Sequence, residues 1–256
     1  MQLEGKKIII VGSRRGIGYG SAKAFVREGA QVCGCGRKPI DEEKLKVANE
    51  AGPGSFTYFQ CDASDRAQVD EYIDKSVALM GGVDVLVVSV MDYWLTMCED
   101  CTYEEMMRSF NNNFFSVFNA NQSVLRYMKE TGGKIINFGS GAGVTTKTPG
   151  DDPSPYSVAK AAVHSWTKCV AKEWCQYGIT ANCVLPLALS DASLDFRMDK
   201  EAEKKLDERT KIFVNIGRFG DIDTEITPFV VFLATDGSKY MTGQLFNVDG
   251  GMVESR

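Results

Sequence analysis

Short apolar runs alternate with longer amphipathic stretches along this chain. The first run, Lys7–Val11, is followed by a glycine-rich turn, Gly12–Gly18, and then by Ala22, Phe25 and Val26 at helical spacing. This predicts a strand, a tight turn and a helix. The same signals predict further strands over Gln31–Gly36, Thr57–Gln60, Val83–Val90, Lys134–Phe138, Thr180–Leu185 and Gln244–Val248. Helices are predicted over Asp41–Glu50, Asp65–Met80, Asn111–Lys129, Pro155–Tyr177 and Glu225–Ala234. Val83–Val90 is almost continuously apolar, as expected of a parallel strand covered on both faces. Regular alternation of strand and helix predicts an α/β fold, a doubly wound parallel sheet of about seven strands with helices on both faces. Ligands of such sheets lie at the C-terminal ends of the strands.

Two stretches interrupt the pattern: Thr145–Pro155 and the polar, partly helical Ala188–Val214. Both leave the sheet at its ligand-binding edge, so the 188–214 insertion is expected to act as a substrate lid. No repeat or linker is evident, and residues 1–256 are expected to form one domain.

Hydrophobic residues make up 44% of the 256 positions and the net charge is −5, which points away from nucleic acid and anionic membrane surfaces. No apolar run is long enough to span a bilayer, and no leader pattern precedes Ile8, so a cytoplasmic protein is expected. The eight cysteines are expected to be free thiols. Cys98-Glu99-Asp100-Cys101 lacks nearby further ligands, and no metal is expected.

Tyr156 and Lys160 stand four positions apart and share one helix face. An ammonium near a phenol favours phenolate, so Tyr156 could exchange a proton near neutral pH. Taken alone, the pair is equally consistent with surface decoration. Gly12-Ser13-Arg14-Arg15-Gly16-Ile17-Gly18 follows a strand and opens a helix, the arrangement that cradles a pyrophosphate. It is neither GxGxxG nor a P-loop, and an ordinary turn would also explain it. After the second strand, Gly36 leaves space and Arg37 offers a guanidinium fork that Arg15 can join. Basic groups there suit the 2′-phosphate of NADP(H), with NAD(H) the lesser alternative. His164, one turn beyond Lys160, is expected to be a packed helix residue.

Taken together, these residues resemble the short-chain dehydrogenase/reductase family, whose Rossmann-like fold would cover essentially the whole chain. The resemblance is carried by Gly12-x-x-x-Gly16-Ile17-Gly18, Asp62, Asn113, Ser140, Tyr156-x-x-x-Lys160, Asn182 and Val248-Asp249-Gly250-Gly251. It implies that Tyr156 donates the proton in reduction, that Lys160 lowers the Tyr156 pKa and holds the nicotinamide ribose, that Ser140 binds the substrate oxygen, and that Asn113 anchors a relay water. It also implies that Gly12, Ser13, Arg15, Gly16, Ile17 and Gly18 line the cofactor phosphates. Asp62 and Ala63 would lie near the adenine, and Val88, Pro186 and Leu189 would complete the cofactor set. The chain departs from the family pattern at Val11 and at Val88-Ser89-Val90-Met91, where polar support for the ligand edge is expected to be lost. It also departs at Pro186-Leu187-Ala188 and in a Ser140–Tyr156 interval longer than is usual.

Local strings, among them Ile136–Gly143 and Gly217–Asp221, resemble bacterial bile-acid hydroxysteroid dehydrogenases of the 12α type. An apolar rim of Met91, Tyr93, Trp94, Leu95, Leu187, Leu189 and Phe196 suits a bulky apolar alcohol or ketone, although core packing is a competing explanation. The expectation is therefore an NADP(H)-dependent oxidoreductase of a hydroxysteroid or similar cyclic alcohol. A ketoreductase of 3-ketoacyl, small polyketide or flavonoid substrates is the alternative, and a non-catalytic NADP-binding regulator a third. The apolar bulk of Trp166, Val170 and Trp174 further predicts a homotetramer or dimer.

Overall fold

The computed structural model describes residues 1–93, 96–145, 154–188 and 200–253, with residue 154 and residues 200–203 described by backbone alone. Leu189, Trp94, Leu95, Phe196, the 146–153 loop and the first part of the 188–214 insertion lie outside the described residues.

The strands are β1 (Lys7–Val11), β2 (Gln31–Gly36), β3 (Ser55–Gln60), β4 (Val85–Val88), β5 (Gly133–Phe138), β6 (Ile179–Pro186) and β7 (Leu245–Val248). They form a seven-stranded sheet in the order β3-β2-β1-β4-β5-β6-β7. Every pairing is parallel. The helices are α1 (Gly16–Arg27), α2 (Glu42–Asn49), α3 (Arg66–Met80), α4 (Tyr103–Ser109), α5 (Ser116–Thr131), α6 (Ser154–Trp174), α7 (Lys200–Phe213) and α8 (Thr227–Ala234).

The period of a strand sorts its side chains between two cores. Ile9, Val11, Leu86, Val88 and Ile135 share one buried cluster with residues of α3, α5 and α6. Ile8, Ile10, Val85, Val87 and Ile136 share the other with residues of α1 and α8. This is the doubly wound Rossmann-like architecture. The chain reverses its direction of growth between β1 and β4, so a crevice opens at their C-terminal ends.

Element ends depart from the expected bounds at the close of β4 and at the start of the helix that follows it. β4 is shorter than Val83–Val90, because the chain turns out of the sheet after Ser89 donates to the Val11 carbonyl (2.8 Å). Helix starts earlier than Asn111: Thr102 caps α4 by accepting from the Glu105 N–H, with the Glu105 carboxylate returning to the Thr102 N–H. Between α4 and α5 the turns widen into a π-helical stretch, Phe110–Phe115, which contains Asn113.

Candidate active site

The crevice between β1 and β4 is a cavity of about 590 Å³. Gly12, Arg15, Gly16, Ile17, Arg37, Asp62 and Ala63 line it, as expected. Gly12 has φ +92, and a Cβ there would run into the Ser89 carbonyl. A Cβ on Gly18 would strike the Gly12 carbonyl, so Gly18 serves the close packing of turn and helix rather than lining the cavity. The cradle therefore presents bare backbone at the N-terminus of α1, which fits a dinucleotide pyrophosphate.

Not every expected cofactor residue faces this cavity. Ser13 is fully buried, and its N–H donates to the Cys35 carbonyl (2.8 Å). Val88 is buried in the sheet, and Pro186 is half-buried at the end of β6. Conversely, Arg14, Lys38, Cys35 and Cys61 line the cavity without having been expected there, and Met91, expected on the substrate rim, lines it too. Arg14 was legible as the neighbour of Arg15. The two thiols were not: both are buried, and they border the cavity only because β2 and β3 end beside it. Asp62 is held at the rim by its carboxylate, which accepts from the Ser64 N–H (3.0 Å) and hydroxyl (2.8 Å).

Beyond the residues that line this cavity, α6 places Tyr156 and Lys160 one turn apart, both buried. Lys160 Nζ lies 5.8 Å from the centroid of the Tyr156 ring. It donates to the carbonyls of Val90 (2.9 Å) and Phe138 (3.1 Å). Burial pushes the Lys160 ammonium down to about 8, while Cys183 pulls in the opposite direction. The polar support expected to be lost at Val88–Met91 is thus supplied through backbone: the Val90 carbonyl is a ligand of the buried ammonium.

Asn113 extends this arrangement. Its Oδ1 accepts from the Asp92 N–H (2.9 Å), and its Nδ2 donates to the Asp92 carbonyl (2.8 Å) and the Ser109 carbonyl (3.1 Å). The Asp92 carboxylate takes Arg108 Nε (3.1 Å) and Asn112 Nδ2 (2.7 Å). The segment after β4 is therefore clasped to the π-helical turn at both its backbone and its side chain.

Ser140 lies in the turn just after β5, and its hydroxyl oxygen accepts from the Ala142 N–H (3.2 Å). Its own N–H donates to His164 Nε2 (3.3 Å). Tyr93 packs its ring against Tyr156, with centroids 5.3 Å apart. Of the expected apolar rim, Met91 is exposed, whereas Leu187 packs on Val214, Met252 and Val253 in a small separate core.

A family model described as enoyl-(acyl carrier protein) reductase matches residues 11–253. The 3-oxoacyl-(acyl-carrier-protein) reductase FabG of Thermotoga maritima is 32% identical, with 99% of this chain and 100% of that protein covered. A Mycobacterium tuberculosis protein is also 32% identical, over 96% of this chain and 92% of that one. Its name is (5R,7aS)-5-hydroxy-7a-methyl-1-oxo-2,3,5,6,7,7a-hexahydro-1H-indene-carboxyl-CoA reductase. Among solved structures, a short-chain dehydrogenase/reductase from Serratia marcescens superposes with TM-score 0.87 at 29% identity, covering 98% of this chain and 99% of that one.

Proposed function

Because the chain belongs to the short-chain dehydrogenase/reductase family, whose members use a nicotinamide nucleotide to interconvert alcohols and ketones, we propose that Tyr156, Lys160, Ser140 and Asn113 carry that reaction here. The observation that supports this most is the buried Lys160 ammonium beside the Tyr156 ring, tied to the cavity wall through the Val90 carbonyl. A bound nicotinamide supplies or accepts the hydride. In reduction, Tyr156 gives its phenolic proton to the substrate oxygen, which the Ser140 hydroxyl holds. The Lys160 charge stabilises the phenolate that remains. Asn113 keeps the segment after β4 in register, so that the Val90 carbonyl stays on Lys160.

NADP(H) is the proposed cofactor, with NAD(H) as the weaker one. Arg14, Arg15, Arg37 and Lys38 line the cavity with Gly36 at the end of β2, a basic setting that suits a 2′-phosphate. The proposed substrate is a hydroxysteroid, bile acid or similar bulky cyclic alcohol or ketone. The aromatic wall of Tyr93 beside Tyr156 supports this, as does the bicyclic substrate named for the Mycobacterium tuberculosis relative. Reduction of a 3-ketoacyl substrate is the second reading, favoured by the likeness to the Thermotoga maritima reductase. Residues 188–214 are proposed as the substrate lid, within one domain spanning residues 1–256.

The deciding experiment follows nicotinamide absorbance with each cofactor across hydroxysteroids, bile acids, small secondary alcohols and 3-ketoacyl thioesters. Turnover of one steroid regioisomer, faster with NADP⁺ than NAD⁺, is expected. Activity confined to the thioesters would move the assignment to the second reading. A preference for NAD⁺ would overturn the role given to the arginines.

A further inference from the structure

His164 is not used in the chemistry above, yet it is buried within the turn that carries Ser140. The ring is 5% exposed and sits on α6 one turn beyond Lys160. The turn over residues 139–143 is closed around it. A Cβ on Gly139 would collide with the imidazole Nε2 and crowd Cys183 Sγ, and a Cβ on Gly143 would come within 2.8 Å of the imidazole Cε1. Neither glycine has a positive φ, so their smallness answers to space and not to backbone conformation: at Gly139 that space is taken chiefly by the ring, and at Gly143 by the ring and the α6 backbone at Ala161. Ser140 itself is bonded within the turn: its carbonyl accepts from the Gly143 N–H (3.1 Å), and its hydroxyl oxygen accepts from the Ala142 N–H. Its N–H goes to the ring.

We infer that His164 is a positioning residue: its neutral imidazole accepts the Ser140 N–H, fixes the turn, and so aims the Ser140 hydroxyl at the substrate oxygen. The inference rests on the oxidoreductase reading, which gives Ser140 that task. For Nε2 to accept, the ring proton must sit on Nδ1 and the ring must be uncharged. Burial, and then Lys160 and Lys168, push His164 down to about 4, so the accepting form persists at neutral pH. An apolar side chain of similar size would leave a part-buried N–H without an acceptor, and the turn would relax to find another.

Two substitutions separate this role from packing. His164→Leu fills the space without an acceptor, whereas His164→Gln places an amide oxygen at similar reach. Each is compared with the wild type in turnover of a ketone found in the panel and in hydrogen exchange of the peptide spanning residues 139–144. His164→Leu is expected to lose about tenfold or more in kcat with the KM for NADPH within about twofold, a loss confined to the chemical step. Its Ser140 amide should exchange faster while peptides of β1 and β4 stay as slow as before. His164→Gln should restore both kcat and slow exchange. Equal impairment of the two variants, or a Leu variant with unaltered kcat and exchange, would overturn the inference. Should His164→Leu not fold, the Gln variant decides alone: fast exchange at Ser140 would count against the acceptor role, slow exchange for it. Tyr156→Phe is run alongside. Full activity in that variant would sink the reading of the site, while the exchange data would still decide what His164 does to the turn.

Discussion

At the scale of single residues, the site depends on one charge kept where charge is unfavourable. Lys160 is 1% exposed, and two carbonyls replace its water shell. Burial outweighs that compensation and lowers its pKa to about 8. The group is therefore charged below that pH and neutral above it, and a neutral amine no longer stabilises phenolate. In the pH dependence of kcat/KM, which reports the free enzyme, the reductive rate should be level below about 8 and fall as pH rises through it. A profile that stays level well above 8 would show that the charge is not needed. The Tyr156-x-x-x-Lys160 pair was legible because helix periodicity alone places both on one face. The bond between Ser140 and His164 was not, because it joins β5 to α6 across a gap in sequence that no periodicity spans. His164 is packed, as its sequence context suggested, and an acceptor besides.

Elements were legible where burial dictates composition and less so where they end. β1 and β2 match their expected bounds because both are apolar runs cut off by glycines. The β4 end and the α4–α5 junction differ because Ser89, Thr102 and Asn113 bind backbone in ways that hydrophobic pattern does not encode. The turn after β1 offers a test of how much rests on space and how much on conformation. Gly5 and Gly12 both have positive φ, but a Cβ at Gly5 meets nothing within 4 Å, while one at Gly12 meets the Ser89 carbonyl. Gly5→Ala should cost about 1 kcal/mol for conformation alone. Gly12→Ala should cost roughly 2–3 kcal/mol in chemical denaturation and abolish NADPH binding, because the β1–β4 crevice must part. Equal costs at the two sites, with binding retained, would contradict the cradle.

At the scale of the whole molecule, only part of the apolar surplus that suggested self-association reaches the surface. Val170 and Trp174 are buried within the chain, so they offer nothing to a partner. What reaches the surface is an aromatic row, Phe114, Phe115, Phe118 and Trp166, with Phe115 36% exposed and Phe118 tilted against Trp166, their centroids 5.0 Å apart. On that row we place the contact of a homodimer or homotetramer. Light scattering at micromolar concentration should return a multiple of the chain mass, and Phe115→Glu should lower it. A monomer in both cases would remove the proposal. The doubly wound architecture was readable from the alternation of strands and helices, and with it the C-terminal strand edge where ligands lie; the strand order itself was not. The occupant of that edge and the shape of the substrate side were less so, since both depend on the loops around the crevice and not on the sheet.

If Tyr156 is the proton donor of a nicotinamide-dependent reaction, Tyr156→Phe removes that proton and leaves the rest of the ring in place. Turnover of the best ketone with NADPH and binding of NADPH by fluorescence are measured on wild type and variant together. The account predicts a loss of about 10²- to 10⁴-fold in kcat, with the nucleotide Kd unchanged within about twofold because the crevice at β1 and β4 is intact. Turnover equal to the wild type, with NADPH still bound, would contradict it.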